Sequence, residues 1–198
     1  MDKSMMITLV VTVLILLWGV VTYNGLITRR LRADNAFAQI EVQLKRRYDL
    51  IPSLVETAKG YMQHERDTLT DVIAARDGAS QALGRLAASR SDATAAALSQ
   101  QENLLGASLE RFKVTLEAYP DLKANTSMQQ LAEELTHTEN KVERSRQFYN
   151  DAVTIYNTFR QTLPQAPLAP MLGHGKDLPF LNFDDTPNLN KAPKVSFS

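Results

Sequence analysis

The chain has 198 residues, 44% of them hydrophobic, with 22 basic side chains balanced by 22 acidic ones. That length suits one domain with an anchor, and the balanced charge argues against whole-surface attraction to nucleic acid. With no cysteine and only three histidines (His64, His137, His174), a disulfide framework, a thiolate metal centre and a cysteine nucleophile are excluded, and little material remains for metal or acid–base chemistry.

Ser4 to Thr28 carries no charge, and its centre, Met5 to Val21, is almost wholly apolar. About twenty helical residues span a hydrocarbon core of about 30 Å. Residues 5–25 are therefore expected to cross a membrane, with residues 1–4 as a short extracytoplasmic N-terminus. The run is longer than the apolar core of a cleaved signal, and no small-x-small site follows it. Trp18 and Tyr23 fall where amphipathic rings favour the membrane interface. Arg29, Arg30 and Arg32 follow the span at once, whereas only Lys3 and the terminal amine, offset in part by Asp2, precede it. The positive-inside rule then puts the C-terminal side in the cytoplasm of a single-pass inner-membrane protein. The same arginines can meet anionic head groups.

Beyond the span the apolar positions keep a heptad rhythm: Ala33, Phe37, Ile40, Leu44, Arg47, Ile51, Leu54, Ala58, Tyr61. Alternating steps of four and three mark the seam of a packed helix. Pro52 lies inside the series without shifting its phase, so a kink is expected there rather than a turn. Gln63 to Arg66 breaks the pattern and is the expected corner. A second helix is expected from about Asp67 to Leu86, through Leu69, Val72, Ala75, Ala79 and Ala82. Ala88 to Asp92 reads as a turn with capping residues. A third helix is expected from Ala93 to Ala118, with Leu105, Leu109, Phe112, Leu116 and Tyr119 on one face, ended by Tyr119-Pro120-Asp121-Leu122-Lys123. The fourth is expected to begin at an N-cap Ser127 and to run to Leu163. Its seam is Met128, Leu131, Leu135, Thr138, Val142, Ser145, Tyr149, Ala152, Tyr156, Phe159 and Leu163.

Lengths favour the corner at 63–66. A turn at Pro52 would give a second helix of about 52 Å, which on returning antiparallel would drive charges into the bilayer. The expected fold is all-α: one transmembrane helix continuing into an up-down four-helix bundle over 26–163. An extended Pro-rich tail over 164–198 should follow, since six of the eight prolines (Pro164, Pro167, Pro170, Pro179, Pro187, Pro193) lie there. Its Phe180, Leu181, Phe183, Val195 and Phe197 could dock on the bundle.

These elements resemble the LemA family of bacterial membrane-anchored helical proteins. The matching stretches are Tyr23-Asn24, Val42 to Pro52, Leu54 to Thr57, Lys59-Gly60-Tyr61 and His64-Glu65. They continue with Ala75-Arg76, Tyr119 to Ala124, Thr138-Glu139-Asn140, Tyr149-Asn150, Tyr156-Asn157 and Ala192 to Phe197. Phe37 stands where the family often has tryptophan, and Ala93 to Ala97 and the stretch from Leu168 to Pro179 match only loosely. The resemblance implies a four-helix bundle after a membrane helix and brings no catalytic residues with it. Related proteins among magnetosome membrane components point to a structural role by analogy alone.

Glu134-x-x-His137 matches half of a di-iron motif, but Tyr61 stands three residues before His64, so the second Glu-x-x-His is missing. No phosphate loop and no HExxH is present. Lys45, Arg46 and Arg47 point in different directions on a helix and do not make one nucleic-acid patch. No catalytic, metal or cofactor site and no small-molecule substrate is expected. Arg47 alone among the charges falls on a seam, and a buried guanidinium needs partners. Antiparallel register from Tyr61 and Met128 puts it level with about Val142. There the fourth seam is polar at Thr138 and Ser145, with Glu139 and Glu143 alongside. An internal polar layer of Arg47, Thr138, Glu139, Glu143 and Ser145 is expected. The function that fits best is a non-enzymatic scaffold or adaptor whose partners are the lipid bilayer and proteins of unknown identity. The alternative is a self-assembling membrane-organising or membrane-remodelling protein that forms large homo-oligomers. An enzyme is the third reading, without a local signature.

Overall fold

A computed structural model describes residues 2–183. Among these residues there is no strand. Five helices follow in order: α1 (Lys3–Lys59), α2 (Arg66–Ala88), α3 (Asp92–Leu116), α4 (Pro120–Lys123) and α5 (Thr126–Gln161). Val195 and Phe197, with the rest of 184–198, lie outside the described residues. The described residues divide into two compact units, 2–43 with 141–180 and 44–140 with 181–183.

In the first unit, α1 is the one helix among the described residues that is long and apolar enough to cross a membrane. Its large side chains from Met5 to Leu17, with Val20 and Val21, are exposed. The burial pattern changes at Thr22. From there Leu26, Ala33, Phe37 and Ile40 turn inward and meet the second half of α5, where Val142, Tyr149, Val153 and Tyr156 are buried. The rings of Phe37 and Tyr149 meet edge-on, with centroids 5.8 Å apart, an arrangement that aromatic quadrupoles favour. Leu163 does not close this seam. Helix α5 stops at Gln161, and Leu163 is 82% exposed.

The segment after α5 is not extended over its first half. Residues 163–173 form successive turns, held by Ala166 N–H to Thr162 O, Ala169 N–H to Gln165 O and Leu172 N–H to Leu168 O. Prolines 164, 167 and 170 fit between these bonds because each missing N–H falls where no bond is made. Gly173, at φ +82°, ends the turns. Its N–H bonds Pro170 O and the next N–H, of His174, bonds Ala169 O. This pair of bonds is the Schellman closure, which needs a left-handed residue at Gly173.

In the second unit, α1 continues through Pro52 to Lys59. Leu44, Ile51, Leu54 and Ala58 are buried as the heptad predicts, but Tyr61 is 44% exposed and Met62 is buried in its place. The helix ends before Tyr61. The N–H groups of Tyr61 and Met62 both bond Ala58 O, a tightened last turn that rotates the chain out of the heptad phase. The corner therefore occupies residues 60–65. Helices α2 and α3 pack together through Leu69, Val72, Ala79, Leu83 and Leu86 on one side and Leu98, Leu105, Leu109 and Phe112 on the other. Ser91 and Thr94 form a reciprocal capping box at the start of α3. Leu116 and Tyr119, expected on the α3 face, are half-buried. The expected break at Tyr119–Lys123 is itself one helical turn, α4, with Pro120 in its first turn and Leu122 buried. The cap of α5 is Asn125 rather than Ser127, since its Oδ1 accepts from Met128 N–H at 3.1 Å. Asparagine holds a helix start as well as serine does.

Candidate functional site

The polar interior of the second unit gathers at the Pro52 end of α1. Arg47 is 8% exposed and Glu102, on α3, only 3%. Arg47 Nη1 donates to Glu102 Oε2 at 2.9 Å, and the Tyr48 hydroxyl donates to Glu102 Oε1. Arg47 Nη2 lies 3.6 Å from Glu139 Oε1. Its Nε is buried with no hydrogen-bond partner. Burial first, then the Glu102 charge and hydrogen bond, push the Tyr48 phenol far above its ordinary value, so Tyr48 remains a donor.

Pro52 has no N–H, so the carbonyl of Tyr48, four residues back, loses its helical partner. Arg76 of α2 supplies the replacement: its Nε donates to Tyr48 O at 3.0 Å. The same guanidinium reaches Asp77 at 2.8 Å and Asp49 at 3.9 Å. Pro52, the buried ion pair and the helix–helix contact are thus one construction. It ties α1, α2 and α3 together.

The expected layer is only partly this one. Arg47 is buried and Glu139 lies within ion-pair reach, but the main partner, Glu102, was not foreseen. Glu102 follows Leu98 by four residues and precedes Leu105 by three. It interrupts the α3 seam just as Arg47 interrupts that of α1, and that spacing was the available signal. Glu143 is exposed and Ser145 half-buried, and both belong to the other unit. Thr138 is buried, but its hydroxyl donates to Glu134 O at 2.8 Å within its own helix. Burial alone did not require the Arg47 donor, since a helical threonine satisfies itself by bonding back one turn.

In the first unit a second set of polar contacts fastens the chain after α5. Asn157 Nδ2 donates to Leu178 O at 3.0 Å, and Leu178 N–H donates to Asn157 Oδ1 at 2.9 Å. The Tyr149 hydroxyl donates to Pro179 O at 2.8 Å. Tyr156 Oη and His174 Nδ1 are 2.9 Å apart, and Arg160 pairs with Asp177. Burial first, then the positive charge of Arg30, hold His174 below its ordinary value. Sequence reasoning missed Asn157 and His174, because their partner segment has no periodicity to place it.

The interface residues divide. Trp18 is half-buried, while Tyr23 and Arg32 are exposed. Arg29 donates to Gly25 O at 3.1 Å and stacks on Phe159, 3.7 Å from the ring centroid. Arg30 lies 5.8 Å over the Tyr156 ring and 3.5 Å from Asp34. Two of the three arginines are therefore used against α5 as cation–π partners. Glu134, of the half motif, pairs with Arg46 at 3.4 Å on the surface, and His137 is exposed. Among the described residues no group of three or more His, Cys, Asp or Glu is placed to hold a metal ion.

The model of the family described as LemA family matches residues 36–197, most of the chain, and the chain belongs to that family. Comparison with curated proteins gives no match.

Proposed function

We propose that this member of the LemA family is a non-enzymatic, membrane-anchored helical scaffold or adaptor. Residues 5–25 cross the inner membrane with the N-terminus outside. Residues 26–163 form an up-down four-helix bundle in the cytoplasm, which meets protein partners through exposed helix faces or the tail. The observation that carries this reading is a contrast in burial. The apolar side chains of Met5 to Val21 are largely exposed, while the interior charges of Arg47 and Glu102 are consumed by each other. The first suits a hydrocarbon surrounding, and the second fits a structural role for the buried pair. The arginines after the span support the orientation.

Two measurements test this reading. In the cysteine-free chain, Ser198→Cys should resist a membrane-impermeant thiol reagent in intact cells and react after lysis. Labelling in intact cells would reverse the orientation. Crosslinking in native membranes followed by mass spectrometry should then recover defined protein neighbours, and recovery of none would count against an adaptor.

A second reading, self-assembly into large membrane-organising oligomers, is favoured by two exposed stripes. On α1, Leu31 and Val42 are exposed at eleven-residue spacing, and on α5, Phe148 and Ile155 at seven. Those spacings put each pair on one helix face, as in a helix–helix seam. Size analysis in detergent separates the two readings: a monomer or dimer supports the adaptor, a large homogeneous particle the assembly.

A further inference from the structure

We infer that the turn segment of residues 162–173 is a second membrane contact, which lays Leu163 and Met171 into the lipid interface beside the exit of the anchor. The inference rests on the reading of residues 5–21 as a bilayer span.

The first observation is position within the first unit. Phe37 meets Tyr149, Arg30 lies over Tyr156 and Arg29 over Phe159. As α1 is followed back toward its apolar run, α5 advances toward its end, so the two helices are antiparallel. At Gly25 the approach is so close that an added Cβ would stand 2.8 Å from the Phe159 ring. Helix α5 ends two residues later at Gln161, and Gly25 is only one helical turn past Val21. The turns that follow therefore emerge beside the first residues outside the span.

The second observation is chemistry. Between Arg160 and Lys176 the chain has no Asp, Glu, Lys or Arg, and its one titratable group, His174, is buried against Tyr156. Leu163 is 82% and Met171 81% exposed, the highest values among the large apolar side chains of the described residues. Thr162, the prolines and the hydrogen-bonded turns leave few backbone N–H groups unpaired, which makes entry into an interface less costly. Arg29, stacked on Phe159 at the same level, places a cation where head groups are. An uncharged, turn-folded loop with two projecting apolar side chains next to a span is chemistry that fits lipid.

The test uses the full-length chain, which has no native cysteine. Single variants Met171→Cys, Leu163→Cys, Phe148→Cys and Leu14→Cys are labelled with an environment-sensitive fluorophore. Each is reconstituted into vesicles of phosphatidylcholine and phosphatidylglycerol, and those with native helical circular dichroism are read. Quenching by acyl-chain spin-labelled lipid is compared with quenching by aqueous iodide. The labels at 171 and 163 should be blue-shifted, and quenched several-fold more by the lipid than the label at 148, with protection from iodide. Quenching at 14 but not at 171 and 163 overturns the loop contact and leaves the span intact. Absence of lipid quenching at 14 overturns both. Shielding of 171 and 163 from both quenchers, as a second copy of the chain would give, also overturns the inference.

Discussion

In residues 44–140 the polar groups that tie helices together are charged: Arg47 of α1 to Glu102 of α3, and Arg76 of α2 to the carbonyl that Pro52 strips of its partner. In residues 141–180 they are mostly neutral, and they fasten an irregular segment to a helix: Asn157 to both backbone groups of residue 178, Tyr149 to Pro179, Tyr156 to His174. The first arrangement is expensive if broken and selects one pairing of helices. The second can yield bond by bond. Burying a charge is costly unless it is paired, so the first region has a fixed partner for nearly every charged atom it hides. The second exposes the carboxylate of the Arg160–Asp177 pair to solvent.

The largest effect that this difference predicts is at Glu102. Glu102→Ala leaves a buried guanidinium with only the longer contact to Glu139, and should cost about 3–5 kcal/mol of unfolding free energy. Denaturant titration in detergent, followed by circular dichroism, reads it. Next comes Arg76→Ala, which orphans the Tyr48 carbonyl and should cost about 1–3 kcal/mol. Pro52→Ala restores the helical N–H, so the same Arg76→Ala change should cost less in that background. An unchanged cost would mean that Arg76 acts through its carboxylate neighbours instead.

In the other region, Asn157→Ala should release the segment around Leu178 for about 1–3 kcal/mol. Amide hydrogen exchange would show the loss at Leu178 while the α5 backbone stays protected. Acid should act there too. Folded His174 holds its proton less tightly than its ordinary value of 6.5, so below that pH the unfolded chain takes up the proton first. This contribution to stability is complete above about pH 6.5 and is lost as the pH falls. His174→Phe should flatten that part of the acid slope. The smallest effect belongs to exposed pairs: Asp71→Ala, which removes a 2.9 Å contact to Arg111 with both side chains more than half exposed, should cost less than about 1 kcal/mol.

How much of this could be read from the residues follows from periodicity. The helices of both regions, the inward turn of Phe37, Leu44, Ile51 and Tyr149, and the burial of Arg47 are all set by heptad spacing, and spacing is local. The partner of Arg47 is not local. An antiparallel register between the seams of α1 and α5 reaches Glu139, but Glu102 lies on a third helix, one turn before the face that begins at Leu105. The early end of α1 depends on a tightened turn at Ala58, and the cap of α5 on an Asn125 side chain two residues before the serine that looked suitable. The segment after Gln161 was the least legible. Proline content reads as extended chain, whereas Gly173 closes a run of turns and Asn157 supplies the backbone partners that a strand neighbour would have given.

The pairing of Arg47 with Glu102 is the centre of this account, and a double-mutant cycle on the full-length protein measures it directly. Arg47→Ala, Glu102→Ala and the double variant are compared by denaturant unfolding, beside a second cycle of Arg47→Ala with Glu139→Ala. A coupling above about 1 kcal/mol for Arg47 with Glu102, and a smaller one for Arg47 with Glu139, is the predicted result. Additive losses for Arg47 and Glu102 would contradict it.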